Sequence, residues 1–330
     1  MARICIVGCG TIGRLHARNL GGAAELAFCS RSRSSAGAFS TVFGGGEVFD
    51  TFDEVLACAG IDAVVLCSPP EFHKDQVVRA LSAGKAVLVE KPMCICRGEV
   101  DEIETALGRS PDGLLMVAEN YYYKPSLARI KALIQEGRIG EIRTVSVRKQ
   151  TEQTADGWKS AHGALLEGGI HFVALISDLF PESPVKVSAE FSHLQEGGVE
   201  RHSVTRLDYA GGAQAELVYS WATKALLKGT FQHSHIVGDA GRIVFESNGI
   251  YVVLRSGRTT RIYTPGFRDL MGYGAMAEDF LACVSGLSRQ PYSDFRRAKR
   301  DLQVVFDAYR SLPGPRPEAG SPGPTAAEMG

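Results

Sequence analysis

The chain has almost no net charge. Its 36 lysines and arginines face 37 aspartates and glutamates, a formal charge of -1 at pH 7. With no strong block of one sign, neither nucleic acid nor an anionic membrane surface is the expected main partner. No apolar run reaches membrane-spanning length, so no transmembrane helix is expected. An apolar strand begins directly after Met1-Ala2-Arg3. No signal peptide is therefore expected, and the expected compartment is cytoplasmic. The eight cysteines lie scattered. Cys5, Cys29 and Cys67 fall inside predicted strands, where reduced, buried thiols are the plain reading. Cys94-Ile95-Cys96 has no second ligand pair, so no metal site is expected.

Acidic residues are missing from one particular place, and that absence matters beside what precedes it. Ile4-Cys5-Ile6-Val7 is followed by Gly8-Cys9-Gly10-Thr11-Ile12-Gly13 and then by Arg14-Leu15-His16-Ala17-Arg18. Strand, G-x-G-x-x-G, helix is the context in which the motif means dinucleotide binding. Gly8 allows a tight turn, Gly10 lets backbone approach a pyrophosphate, and Gly13 lets helix and strand pack closely. The helix N-terminus turns unpaired N–H groups toward the phosphates. An NAD site usually adds Asp or Glu about 20 residues further on, for the ribose 2′-hydroxyl. Here no acid occurs between Glu25 and Glu47, and the second strand runs out into Ser30-Arg31-Ser32-Arg33. Arginine pairs bidentately with phosphate. Read as mere solvated charges, Arg31 and Arg33 would be cations at a helix N-terminus, where the dipole disfavours them. NADP(H) is therefore favoured over NAD(H).

At 330 residues the chain exceeds one hydrophobic core, so two domains are expected. The first third alternates buried apolar strands with helices. That pattern predicts a Rossmann domain, a doubly wound parallel sheet, over 1–122. Ligands in such sheets bind beyond the carboxyl ends of the strands, where Gly8, Ser30, Ser68 and Glu90 fall. Residues 123–312 predict an α+β domain. Pro125 opens a helix, strands with short glycine turns imply a large, mostly antiparallel sheet, and helices near Gly274–Ser285 and Phe295–Leu312 close it. The last eighteen residues, 313–330, hold five prolines and no apolar run, and read as a disordered tail.

Two further stretches carry chemistry. Glu90-Lys91-Pro92 ends a parallel strand on the ligand side. Gly163-Ala164-Leu165-Leu166-Glu167-Gly168-Gly169-Ile170-His171 opens an apolar helix on which Glu167 and His171, four apart, share a face. With Gly8–Gly13, Ser68-Pro69-Pro70-Glu71-Phe72-His73, the Ala80–Lys85 stretch and Asn120 to Pro125 leading to Glu136–Gly140, the chain up to about Leu312 resembles one family. It is the glucose–fructose oxidoreductase, inositol dehydrogenase and rhizopine-catabolism (Gfo/Idh/MocA) family of NAD(P)-dependent oxidoreductases. The motifs are specific to the family but not to a substrate.

The resemblance implies roles. Lys91 contacts substrate and nicotinamide, and the following proline often takes a cis bond. Glu167 and His171 position the substrate hydroxyl, with His171 the acid/base. The implied cofactor residues are Gly8, Gly10, Thr11, Ile12, Gly13, Ser30, Arg31, Arg33, Ser68, Pro69, His73, Glu90 and Lys91. Tyr122, Trp158 and Lys159 join Lys91, Glu167 and His171 as substrate candidates. The chemistry stands beside the likeness. Hydride transfer from an alcohol carbon needs a partner for the hydroxyl proton, and an ammonium offsets charge developing on the oxygen. Lys91 and His171 lie in different predicted domains, so an interdomain cleft is expected.

Three departures from the family pattern bear on the substrate and the proton route: Glu167 where aspartate is usual, Ala174 where aspartate is often found, and Tyr122 where arginine is frequent. The leading expectation is an NADP(H)-dependent oxidoreductase that interconverts a secondary alcohol and a carbonyl on a sugar, cyclitol or similar polyol-like molecule. Alternatives are a glycosidase that works by transient oxidation and a non-catalytic dinucleotide-binding regulator. Clean alternation in the second domain leaves a sheet with two faces, and an uncovered apolar face marks an interface. A homodimer or homotetramer through the C-terminal sheet is expected. Tyr219 and Trp221 could lie on either face.

Overall fold

The computed structural model describes residues 1–154, 161–194 and 199–312. In chain order the elements begin β1 (Arg3–Val7), α1 (Thr11–Leu20), β2 (Glu25–Cys29), α2 (Arg33–Val42), β3 (Val48–Phe49) and α3 (Phe52–Ala57). Then come β4 (Ala63–Leu66), α4 (His73–Ser82), β5 (Ala86–Glu90), α5 (Arg97–Gly108) and β6 (Leu115–Ala118). The middle of the chain holds α6 (Pro125–Gln135), β7 (Ile142–Gln150), a π-helical turn (Leu165–Gly169) and α7 (Ile170–Ser177). The strands β8 (Lys186–Ser192), β9 (His202–Asp208), β10 (Gln214–Ser220), β11 (His233–Gly238), β12 (Gly241–Glu246), β13 (Val252–Ser256) and β14 (Thr259–Tyr263) follow. Two helices close the series, α8 (Tyr273–Val284) and α9 (Phe295–Tyr309).

The first compact unit comprises Met1–Glu119 and Tyr273–Ala298. Its six strands pair in parallel in the order β3-β2-β1-β4-β5-β6. The runs Ile4–Val7, Ala63–Leu66 and Val87–Val89 are buried without a break, as strands covered on both faces must be. Strand order reverses between β1 and β4, and in such sheets the crevice at that point takes the ligand. The exposed edge of β6 is blunted by the chain at Ser293–Asp294: Val117 N–H donates to Ser293 O at 2.9 Å.

The second unit comprises Asn120–Gly272 and, among the described residues, 299–312. Its eight strands run β14-β13-β12-β11-β7-β10-β9-β8, antiparallel except where β10 meets β7. Burial alternates along β9, β10 and β11. One face carries Val145, Val147, Leu217, Ile236 and Phe245, all buried. Tyr219 and Trp221 belong to this covered face, 7% and 1% exposed. The other face carries Thr144, Ser146, Arg148, Arg206 and His235, all exposed.

One expectation about organisation is corrected. The helix near 274–285 does not close the second domain. As α8 it packs on α1 in the first unit, with the rings of His16 and Tyr273 edge to face at 6.3 Å. Its Met276, Ala277 and Phe280 are buried there. The division also falls after Glu119 rather than at 122, and again inside α9 after Ala298. The Pro/Gly-rich tail, 313–330, lies outside the described residues.

Candidate functional site

The glycine loop is a cradle built of backbone. Gly8 has φ +103°, and a Cβ there would lie 2.7 Å from Cys67 O at the end of β4. A Cβ at Gly13 would lie 2.2 Å from Gly8 O. No other residue type fits either position. Gly10 faces open space, with nothing within 4 Å of its would-be Cβ. Behind it α1 starts at Thr11 with no side-chain cap and no acid in its first turn. These N–H groups are left for an anion.

The cradle opens onto a cavity of about 470 Å³, walled by Gly8, Cys9, Gly10, Ser30, Arg31 and Ser68 among others. Pro69, Asp50 and Phe52 share the wall. The volume falls within the range of cofactor and ligand pockets. The residues therefore fit a dinucleotide: space at Gly10 for the pyrophosphate, and Ser30 and Arg31 where β2 points at the adenosine ribose. Ile12 and Gly13 form the first turn of α1 behind the loop.

Arg33 stands apart from Arg31. It is exposed, and its guanidinium is paired with the Asp50 carboxylate. The pair raises the pKa of Arg33 and supplies a partner for a cation at the start of α2. Ser32 caps that helix, accepting from Ser35 N–H at 3.4 Å. All eight cysteines are free thiols. Burial pushes Cys9 up to about 12 and Cys29 up to about 11. Both are therefore protonated at neutral pH and serve as wall rather than nucleophile.

The turn after β5 is held from inside. Glu90 is buried, and its carboxylate accepts from His16 Nε2 at 2.8 Å and from the Lys91 N–H at 3.1 Å. Lys91–Pro92 is a cis peptide. His73 is also buried, with Nδ1 2.9 Å from Pro92 O and Nε2 2.8 Å from Ser68 O. Glu90 and His73, both cofactor candidates, brace this turn. They tie the Lys91 turn to α1 and to the β4 exit, while the Lys91 side chain stays half-exposed.

In the second unit the expectation of one regular α-helix carrying Glu167 and His171 is corrected. Glu167 sits in the π-helical turn Leu165–Gly169, and His171 is the second residue of α7. Tertiary packing explains the wide turn. A Cβ at Gly168 would fall 2.0 Å from the Tyr219 hydroxyl, so the turn lies directly on that ring. A period of 3.6 does not reveal it, although Gly168-Gly169 inside an apolar helix is the signal that could have. On α7 every residue from Ile170 to Ser177 is buried except His171.

The imidazole of His171 stacks on Tyr121, with ring centroids 4.7 Å apart and 15° between planes. Lys124 Nζ lies 4.3 Å from the Tyr121 centroid, and Lys124 is 1% exposed. No motif in the sequence assigns Tyr121 or Lys124 a role. Tyr122 is buried, donating its hydroxyl to Asp301 Oδ2 and accepting from Arg300 Nη2 at 3.2 Å. Its hydroxyl is thus engaged by α9. Trp158 and Lys159 lie outside the described residues.

A second set of groups missed by sequence reading anchors the π-turn. Glu200 is 0% exposed. Its backbone carbonyl accepts from Ala164 N–H at 3.0 Å, and its Oε1 accepts from Leu165 N–H at 2.9 Å. Tyr309 donates its hydroxyl to Glu200 Oε1 at 2.8 Å and accepts from Leu166 N–H at 3.1 Å. Three successive N–H groups, which a helix start would leave unpaired, are capped from elsewhere in the chain. Among the described residues no group of three or more His, Cys, Asp or Glu is placed to hold a metal. No described helix is long and apolar enough to cross a membrane.

The order 3-2-1-4-5-6, the glycine cradle and the cavity beside it define an NAD(P)-binding Rossmann domain, followed by a second domain with an open-faced sheet. Residues 2–117 match the model of the oxidoreductase family with NAD-binding Rossmann fold, and residues 127–244 match the GFO/IDH/MocA C-terminal domain. The chain belongs to the Gfo/Idh/MocA family of oxidoreductases. It is similar to the inositol 2-dehydrogenase of Rhizobium meliloti, 32% identical over 198 residues that span 57% of each chain. That match covers less than two thirds of the relative's length.

Solved structures share the fold. A 3-ketoreductase from Actinomadura kijaniata, in complex with TDP-benzene and NADP, superposes with a TM-score of 0.79 at 22% identity, covering 94% of this chain and 97% of that one. An oxidoreductase from Agrobacterium radiobacter, in complex with NAD+, L-tartaric acid and magnesium, gives 0.84 at 17% identity, covering 94% and 96%.

Proposed function

We propose that the protein is an NADP(H)-preferring oxidoreductase that interconverts a secondary alcohol and a carbonyl on a sugar, cyclitol or similar polyol-like substrate. The observation that carries this reading is His171. On a helix otherwise buried along its length, it alone keeps partial exposure, one turn beyond Glu167. The Rhizobium relative, named for inositol, supports a cyclitol-like substrate. Arg31 in the cavity wall supports a preference for the 2′-phosphate.

When bound, the dinucleotide supplies or accepts the hydride. The chain's own groups do the rest. His171 takes the hydroxyl proton in oxidation and returns it in reduction. The Lys91 ammonium offsets negative charge that builds on the substrate oxygen. Glu167 accepts a hydrogen bond from a substrate hydroxyl and so orients the ring. The open face of the eight-stranded sheet is the proposed interface of a homodimer or homotetramer, with Val244, Val253 and Ile262 in one row across β12, β13 and β14.

The test is a panel of inososes and keto-sugars, with loss of NADPH absorbance as the readout. Turnover of at least one such ketone, lost in both Lys91→Ala and His171→Ala, supports the reading. Equal turnover in the variants and the wild type overturns it. Light scattering at micromolar concentration tests assembly, and a monomer counts against it.

A further inference from the structure

The second strand's exit carries no acid, but its neighbour delivers one. β3 lies against β2 with Phe49 opposite Cys29. The next residues out of the two strands are Asp50 and Ser30, and both line the cavity, as does Arg31. A carboxylate, a hydroxyl and a guanidinium thus stand together where β2 points at the adenosine ribose. Asp50 is well placed to act on a ligand. Its side chain is 50% exposed, its backbone N–H is fixed by Glu54 Oε2 at 2.9 Å, and its carboxylate faces Arg33. Arg33 offsets that charge without removing the carboxylate from the wall.

We propose that Asp50 sets the choice between the two dinucleotides: its carboxylate accepts from a ribose 2′-hydroxyl and repels a 2′-phosphate. Arg31 works in the opposite sense. The site then admits both cofactors, with a preference fixed by the balance of two side chains on different strands. This rests on the dinucleotide reading of the cavity.

The experiment measures Kd for NADPH and for NADH by nucleotide fluorescence, without substrate, on the full chain. Asp50→Ala removes both charge and acceptor. NADPH should bind about threefold to fivefold tighter, the scale of an exposed charge pair. NADH should bind about tenfold weaker, the scale of a hydrogen bond to a charged group. Asp50→Asn removes the charge but keeps an acceptor. It should tighten NADPH similarly and cost NADH less than Asp50→Ala does. Thermal melting reports folding, which a half-exposed side chain should leave unchanged. If the ratio of the two affinities in Asp50→Ala stays within twofold of wild type, this assignment fails while the dinucleotide reading stands. If wild type binds neither nucleotide, both fail.

Discussion

The two sheets of this protein are built to different rules. In the six-stranded sheet the central strands are buried on both faces. In the eight-stranded sheet burial alternates, and one face stays exposed. A strand buried on both faces has no side chain to spare, so chemistry moves to the loops at its end. There it is done largely by backbone: Gly8, Gly10 and Gly13 act by what they lack. A half-covered sheet instead offers a platform. The Glu167 turn lies on Tyr219, and α7 holds His171 by its side chain. On the proposed reading, backbone at the strand ends binds the nucleotide, while side chains, Lys91 beside that backbone and His171 on the platform, do the chemistry.

The contrast breaks most sharply if binding and turnover fail together. Lys91→Ala and His171→Ala should each cut turnover about 100-fold or more, the scale of one lost electrostatic or acid–base partner. NADPH affinity, measured by fluorescence titration, should change less than about threefold because the cradle is untouched. A comparable loss of NADPH affinity in either variant would erase the division of labour.

Glu200→Ala sharpens the same contrast from the other side. It strips Leu165 N–H and the Tyr309 hydroxyl of their acceptor. The expected cost is about 2 kcal/mol of stability for buried groups left unpaired, read by denaturant unfolding. NADPH affinity should stay near wild type. Arg31→Ala does the reverse. It should weaken NADPH by about 1.5 kcal/mol, a charge-assisted hydrogen bond at an exposed site, and leave NADH and stability alone.

The smallest effect is a pH dependence. Burial holds His73 below the ordinary histidine value, although the carbonyls of Pro92 and Ser68 pull the other way. For a base depressed in the fold, the unfolded chain takes up a proton that the native state refuses. Its contribution to stability is therefore full above pH about 6.5 and is lost as pH falls toward the folded value, with a slope of at most about 1.4 kcal/mol per unit. His73→Gln should flatten that slope in melts between pH 7 and 5.5. An unchanged slope would mean that the two carbonyls cancel the effect of burial, and a steeper one that they outweigh it.

Much of this architecture is legible in the order of residues. Ala86–Glu90 is a strand with the bounds its apolar run implies, and Gly8–Gly13 announces the cradle. What escapes is whatever depends on neighbours in space. β3 is two residues long, so nothing in its own pattern says that Asp50 will stand beside Ser30. Met276, Ala277 and Phe280 show an apolar face but not which sheet it returns to. Glu200 reads as an ordinary charged residue, and only the folded chain reveals it as the acceptor for two of the three capped N–H groups. Counting by 3.6 puts Glu167 and His171 on one regular helix. It assumes the hydrogen-bonding period that Leu165–Gly169 departs from.

That departure has an evolutionary side. A π-turn is an α-helix holding one surplus residue. Losing a residue from Leu165–Gly169 would restore ordinary helical bonding and leave α7 seated with His171 where it is. Loss of Gly168 or Gly169 would slide Glu167, with the residues before it, along the axis by up to ~1.5 Å, one helical rise. A single-codon deletion could thus retune the reach of the carboxylate while sparing the imidazole, a change in substrate fit made by altering length rather than side chain.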